Sequence, residues 1–209
     1  LALAPDIVVI DAAQEHFAGR LRSAGIRVLS LRMQSFADVR AAFASAGGAL
    51  GRPDGAERAL ARFDRELSAA QARARAHTPA RRPKALFVVD RQLGGLGNLV
   101  AAGPHTFADE LLQMAGVHNV LYDLDAPYIR LSTEQLLARA PDVIVDATYT
   151  ETPGRALADW DVLPSLPAVQ NQHVHLLNDR RFGAPGPRLA EALVVLVDTL
   201  WPASVPQPK

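Results

Sequence analysis

The sequence predicts an α/β protein: two α/β lobes joined by a long bridging helix. Three observations lead there. Short apolar runs alternate with helix-like stretches over the first fifty residues. An unbroken helical pattern of more than twenty residues follows. A second, longer alternation then occupies the rest of the chain. Strands that alternate with helices form parallel sheets, because a helical crossover brings each strand alongside the last.

Each element has a local reason. Ile7-Val-Val-Ile10 is a buried-strand pattern. A helical stretch runs from Ala12 to Ala24 and stops at Gly25. Ile26 to Leu31 reads as a second strand, and Ser35-Phe-Ala-Asp38 as a capping box opening a helix to about Ala46. From Asp54 to His77 nothing breaks a helix. Leu60, Phe63, Leu67, Ala70 and Ala74 mark one apolar stripe along it. Such a helix is roughly 35 Å long, more than a small lobe needs. Pro79 and Pro83 end it.

The second set opens with a strand at Ala85 to Val89, then a Gly-rich loop from Arg91 to His105. Thr106 caps a helix that Gly116 stops, and Asn119 to Leu121 is a short strand. Ser132-Thr-Glu134-Gln135 starts a helix to Ala140, and Val143 to Ala147 is the next strand. A turn-rich stretch reaches Pro167, His173 to Leu177 is the last strand, and Pro187 sits in the first turn of a helix ending near Trp201. The Pro-rich tail beyond reads as frayed. Leu3-Ala-Pro-Asp-Ile-Val-Val9 echoes Arg139-Ala-Pro-Asp-Val-Ile-Val145, the echo expected of two similarly built lobes.

Composition narrows the function. Among 209 residues, 22 Lys and Arg balance 22 Asp and Glu. A nucleic-acid binder would carry a basic excess, so no nucleic-acid partner is expected. Cysteine is absent, which excludes thiolate nucleophiles and Cys-ligated zinc or iron–sulfur sites. Gly94-Gly-Leu-Gly97 follows a strand, but the dinucleotide fingerprint needs a third glycine where Val100 stands. Neither GxxxxGK[ST] nor GxSxG occurs. His173 and His175 lie two apart on one strand face, as metal ligands or as an ordinary strand pair. No third ligand sits at motif spacing, so no metal site and no cofactor is assigned. No catalytic residues are expected either.

Large polar and aromatic residues cluster in the loops after the second-set strands, where open α/β sheets bind ligands. They are Arg91, Tyr128, Tyr149, Trp160, Arg180, Arg181 and Phe182. Rings and guanidinium groups suit a wide, conjugated or anionic ligand. Trp160 and Phe182 read equally well as plugs at the base of their loops.

Longer stretches carry a resemblance. Ala101-Ala-Gly-Pro-His-Thr-Phe-Ala-Asp-Glu-Leu-Leu-Gln-Met-Ala-Gly116, then Leu131-Ser-Thr-Glu-Gln-Leu-Leu-Ala-Arg-Ala-Pro-Asp-Val-Ile-Val145, resembles the second lobe of the cobalamin- and ferric-siderophore-binding proteins of ABC importers. Trp160 to Val169 and Gly186-Pro-Arg-Leu189 resemble that family's C-terminal segment, and residues 55–77 its rigid interlobe helix. The resemblance implies a periplasmic or lipoprotein-anchored binding component that takes a metal chelate, a corrinoid before a ferric siderophore or haem, and docks on permease subunits. It places Tyr128 facing the ligand, Asp179 near a cleft acid, and Glu134 as the docking glutamate. A first-turn acid is also favoured by the helix dipole. It further implies that residues 1–52 form the C-terminal part of an incomplete first lobe, 53–80 the interlobe helix and 81–209 the second lobe. If lobes match in size, roughly 70 residues of the first are lacking. Where cobalamin binders place an aromatic after the first-lobe strand, this sequence has Asp11-Ala12, and Arg91, Arg180 and Arg181 suit an anionic siderophore.

Overall fold

The structure is a computed structural model that describes residues 4–77 and 79–202. The Pro-rich tail beyond Pro202 and the first three residues of the opening segment lie outside the described residues.

Strand β1 (Ile7–Asp11) pairs in parallel with β2 (Arg27–Leu31), Val9 opposite Leu29. A 3-10 turn (Ala12–Gln14) and helix α1 (Glu15–Ser23) make the crossover. Helix α2 (Phe36–Ala49) starts at the capping box: Ser35 accepts from the Asp38 N–H, and the Asp38 carboxylate accepts from the Ser35 N–H. Helix α3 (Pro53–His77) is 25 residues long and unbroken. Phe63, Ala70 and Ala74 of the expected stripe are buried, and Leu60 and Leu67 pack beside them.

The larger sheet contains β3 (Lys84–Asp90), β4 (Val100–Ala102), β5 (His118–Asn119), β6 (Tyr128–Arg130), β7 (Val143–Asp146) and β8 (Val174–Leu176). Its order is β6-β4-β3-β7-β8, with β5 also on β3. The sheet is mixed, which corrects the all-parallel expectation. Strand β4 lies antiparallel to both β3 and β6, while β5, β7 and β8 follow the parallel scheme. The Gly-rich stretch after β3 is therefore a loop that returns as β4.

Helices cover both faces. Helix α4 (Phe107–Met114) and helix α8 (Leu189–Leu200) lie on the face formed by Ala85, Phe87, Val143 and Val145, and α3 and α2 pack outside them. Helix α5 (Thr133–Arg139), Trp160 and helix α7 (Pro167–Gln170) cover the opposite face of Leu86, Val88 and Ile144. Helix α6 (Pro153–Ala158) and a 3-10 turn (Asp159–Val162) fill the stretch expected to be turns. Helix α8 begins two residues past Pro187, because residues 183–188 form turns instead.

The bridging helix is not free. It packs against α2 on one side and α8 on the other, and its Phe63 shares a core with α8 residues such as Leu193 and Leu196. Glu110 of α4 accepts a hydrogen bond from the Phe36 N–H at 2.7 Å, which pins α2 to the larger unit.

Candidate ligand-binding face

Strands β3, β7 and β8 run parallel, so their carboxyl ends open on one rim. Two of the rim loops are tied by one side chain. Asn178 accepts from the Thr150 N–H (3.0 Å) and donates to the Thr150 carbonyl (2.7 Å). This clamp sets Tyr149 and Arg180 side by side. The Arg180 guanidinium stands over the Tyr149 ring, 5.3 Å from its centre. Tyr149 is 56 % exposed, so its other face is open to solvent. Among the described residues Arg180 has no carboxylate partner. The pair offers an apolar surface beside an unneutralised forked donor.

Its neighbours in sequence do other work. Asp179 caps the short 3-10 turn (Arg180–Phe182), accepting from the Arg181 N–H at 2.9 Å. The Arg181 Nε donates to both oxygens of that carboxylate (3.0 and 2.9 Å), and a second nitrogen reaches Glu191 at 3.4 Å. Arg181 hydrogen-bonding holds the Asp179 carboxyl below its ordinary range, and Asp179 in turn raises Arg181. The charge of Arg181 is thus neutralised within the protein. Phe182, expected on the ligand wall, is 1 % exposed and packs on Phe87 with ring centres 6.3 Å apart. It is core, because the turn that presents Arg180 outward folds the next ring inward.

Arg91 is a second correction. It lies beneath the rim, 4 % exposed. It donates to Asp146 (2.7 Å), to Asp159 (2.8 Å) and to the Gly95 carbonyl (2.8 Å), and stands 5.7 Å from the centre of the Trp160 ring. Burial opposes its charge, but the bonds to Asp159 and Asp146 outweigh burial and keep it above its usual range. The Trp160 indole N–H donates to the same Asp146 oxygen at 3.0 Å. Asp146, fully buried at the end of β7, was not among the sequence candidates. It is the node that holds the β3, β7 and α6 loops together. A carboxylate closing an otherwise apolar strand was the available signal, since a buried charge needs partners.

Tyr128 stands apart from the Tyr149–Arg180 pair, at the start of the edge strand β6 and opposite Ala102. It is 50 % exposed. Burial raises its phenol, and the Asp11 carboxylate at the end of β1 raises it further. The position of Tyr128 depends on Gly103, whose N–H donates to the Pro127 carbonyl at 2.9 Å. A Cβ at Gly103 would overlap the Ala126 carbonyl oxygen, so only glycine lets the two backbones close. Among the described residues no group of three or more His, Asp or Glu is placed to hold a metal ion.

Known proteins decide the family. The sequence profile of the periplasmic binding proteins matches residues 1–180. The chain belongs to the periplasmic binding protein family. A cobalamin-binding protein from Halobacterium salinarum is 29 % identical over 201 residues, covering 92 % of this chain and 52 % of that protein. The chain thus spans about half the length of that relative. Among solved structures, the periplasmic heme-binding protein BhuT in complex with two hemes superposes with a TM-score of 0.81 at 29 % identity, over 96 % of this chain and 76 % of that one. The apo heme-binding protein RhuT from Roseiflexus sp. RS-1 gives 0.79 at 25 % identity, over 96 % and 77 %.

For a periplasmic binding protein of two units, a cleft-facing residue and a rim residue have different tasks. Tyr149 and Arg180 keep exposed faces on the carboxyl rim, and Tyr128 keeps one at the start of the edge strand β6. Glu134 is exposed in the first turn of α5, where the Ser132 hydroxyl and its own backbone N–H hold its carboxyl below the ordinary range. A fixed, solvated negative charge of that kind suits a protein contact.

Proposed function

We propose that this periplasmic binding protein captures a metal chelate for an ABC importer, and that its cargo is cobalamin or a related tetrapyrrole. The observation that carries the reading is the Tyr149–Arg180 pair: a half-open aromatic face under a cation with no carboxylate partner among the described residues, clamped on the carboxyl rim. A flat macrocycle ringed with amides or carboxylates gains apolar contact from the ring and paired hydrogen bonds from the guanidinium. The names of relatives at 29 % identity, cobalamin-binding and heme-binding, support the same class. Tyr128 adds a second aromatic contact from β6. The role is binding and release, with no reaction assigned.

Glu134 is the contact to the permease, and the protein works outside the cytoplasm, free in the periplasm or held by a lipid anchor. No helix among the described residues is long and apolar enough to cross a membrane.

The test is titration of the full-length protein with cyanocobalamin, haemin and a ferric hydroxamate, followed by absorbance. One tetrapyrrole should bind best. Tyr149→Ala should weaken it about 5- to 150-fold, the equivalent of about 1–3 kcal/mol for one aromatic contact. Arg180→Ala should weaken it further if the ligand is anionic. Preference for the hydroxamate would move the cargo to siderophores, and unchanged affinity in both variants would remove the site. Glu134→Lys should reduce uptake while leaving ligand affinity as it was, because exposed charges at docking surfaces act on encounter and register.

A further inference from the structure

His173 and His175 take no part in the ligand rim, and they flank the start of the last strand. The last strand starts at the opposite end of the sheet from the ligand rim. There a pocket of about 390 Å³ opens between the strand starts and the end of α8. Both imidazoles line it, along with Asp142, Arg81, Thr199 and Trp201. In the β7–β8 register His175 lies beside Val145, on the α8 face, and His173 two residues earlier takes the same face. Their ring centres are 6.3 Å apart and the rings lie within 19° of parallel.

We infer that this pocket is a two-imidazole site for a divalent transition-metal ion of the copper(II) class, separate from the chelate-binding rim. Metal binding needs neutral imidazole nitrogens. Nitrogens about 2.0–2.1 Å from one ion at adjacent positions put the ring centres about 4.5–5 Å apart, so the rings must close by about 1–2 Å and turn out of their near-parallel stack until their in-plane nitrogens converge. His173 is exposed, so rotation of its side chain can supply that movement. Among the described residues no third His, Asp or Glu is placed to join the pair on one ion, so water completes the shell, and the pocket has room for it. Asp142 is occupied, accepting from the Lys84 N–H at 2.8 Å, and its charge offsets that of Arg81 in the pocket lining. Two imidazoles with open positions favour copper(II) over nickel(II) and zinc(II), as the order of divalent affinities dictates and as tetragonal N,O geometry suits.

Titration of the full chain with copper(II) sulfate, followed by electron paramagnetic resonance, tests the inference. One ion per chain should bind, with hyperfine splitting from two imidazole nitrogens, and more tightly than nickel(II) or zinc(II). His173→Gln and His175→Gln should each weaken it at least tenfold. His173 is on the surface, so its variant keeps the fold, and the nitrogen count in the parent protein needs no variant at all. Haemin and cobalamin titrations should be the same with and without copper, which separates this site from the rim. A signal from fewer than two imidazoles, or binding unchanged in both variants, would overturn it.

Discussion

Strands β1 and β7 are introduced by nearly the same residues and end in different environments. Ala4-Pro-Asp-Ile-Val-Val9 leads into β1, and Ala140-Pro-Asp-Val-Ile-Val145 leads into β7. The backbone repeats as well: Ala4 and Ala140 both adopt left-handed conformations, with φ of 38° and 44°. Yet all four residues of β7 are buried, whereas no residue of β1 is, and Val9 is 57 % exposed. The local code, a left-handed turn followed by Pro-Asp and an apolar run, specifies a strand in both places. Burial comes from neighbours. Strand β7 lies between β3 and β8 with helices on both faces, while β1 has β2 alone among the described residues. A strand's sequence fixes its own conformation, and its sheet fixes its energetic weight.

The sharpest way to break this contrast is to attack the node beneath β7. Arg91→Ala leaves Asp146 buried without its cation. Removing one partner of a buried pair costs about 3–5 kcal/mol, so denaturant unfolding should show a loss of that size. The same network fixes an acid limb. The bond from Arg91 depresses the Asp159 carboxyl. A depressed carboxyl stabilises the fold above its unfolded pKa, about 3.9, and that stability is lost as pH falls through the lower folded value. Stability should drop below about pH 4 in the parent protein, and less so in Arg91→Ala.

A matched pair of substitutions sharpens the contrast directly. Val145→Ala removes buried methyl groups from the centre of the larger sheet and should cost about 2 kcal/mol. Val9→Ala, at the equivalent place in β1, should cost under about 0.5 kcal/mol. Equal losses would mean that β1 is as well covered as β7. A smaller and more local effect is expected at Gly103. Gly103→Ala forces the 123–127 loop off its contact and should cost about 1–2 kcal/mol. It should also move Tyr128, seen as a shift in that residue's NMR signals.

Much of this was legible from sequence. The capping residues Ser35, Thr106 and Ser132 each sit where expected and accept a hydrogen bond three residues on. The unbroken stripe from Leu60 to Ala74 gave the long helix. What escaped was short or distant. Strands β4 and β6 have three residues each, too few for a period to register. Helix α6 hides behind Pro153 and Gly154, which read as turn signals. Tyr149 and Arg180 stay exposed on the post-strand loops that flagged them, whereas Tyr128 lies in strand β6. Arg91 and Phe182 satisfied the same cue and went inward. Their partners lie far along the chain, Asp146 being 55 residues from Arg91 and Asp159 68, and no local pattern encodes such a meeting.

The central claim is that ligand sits on the carboxyl rim of the larger sheet. Hydrogen exchange of the full-length protein, with and without its best-binding tetrapyrrole, reads that position directly. Exchange should slow in residues 147–152 and 177–182 and near Tyr128, with no change at 171–175 around the opposite pocket. Protection confined to the strand starts, or none in the two rim loops despite saturating ligand, would contradict it.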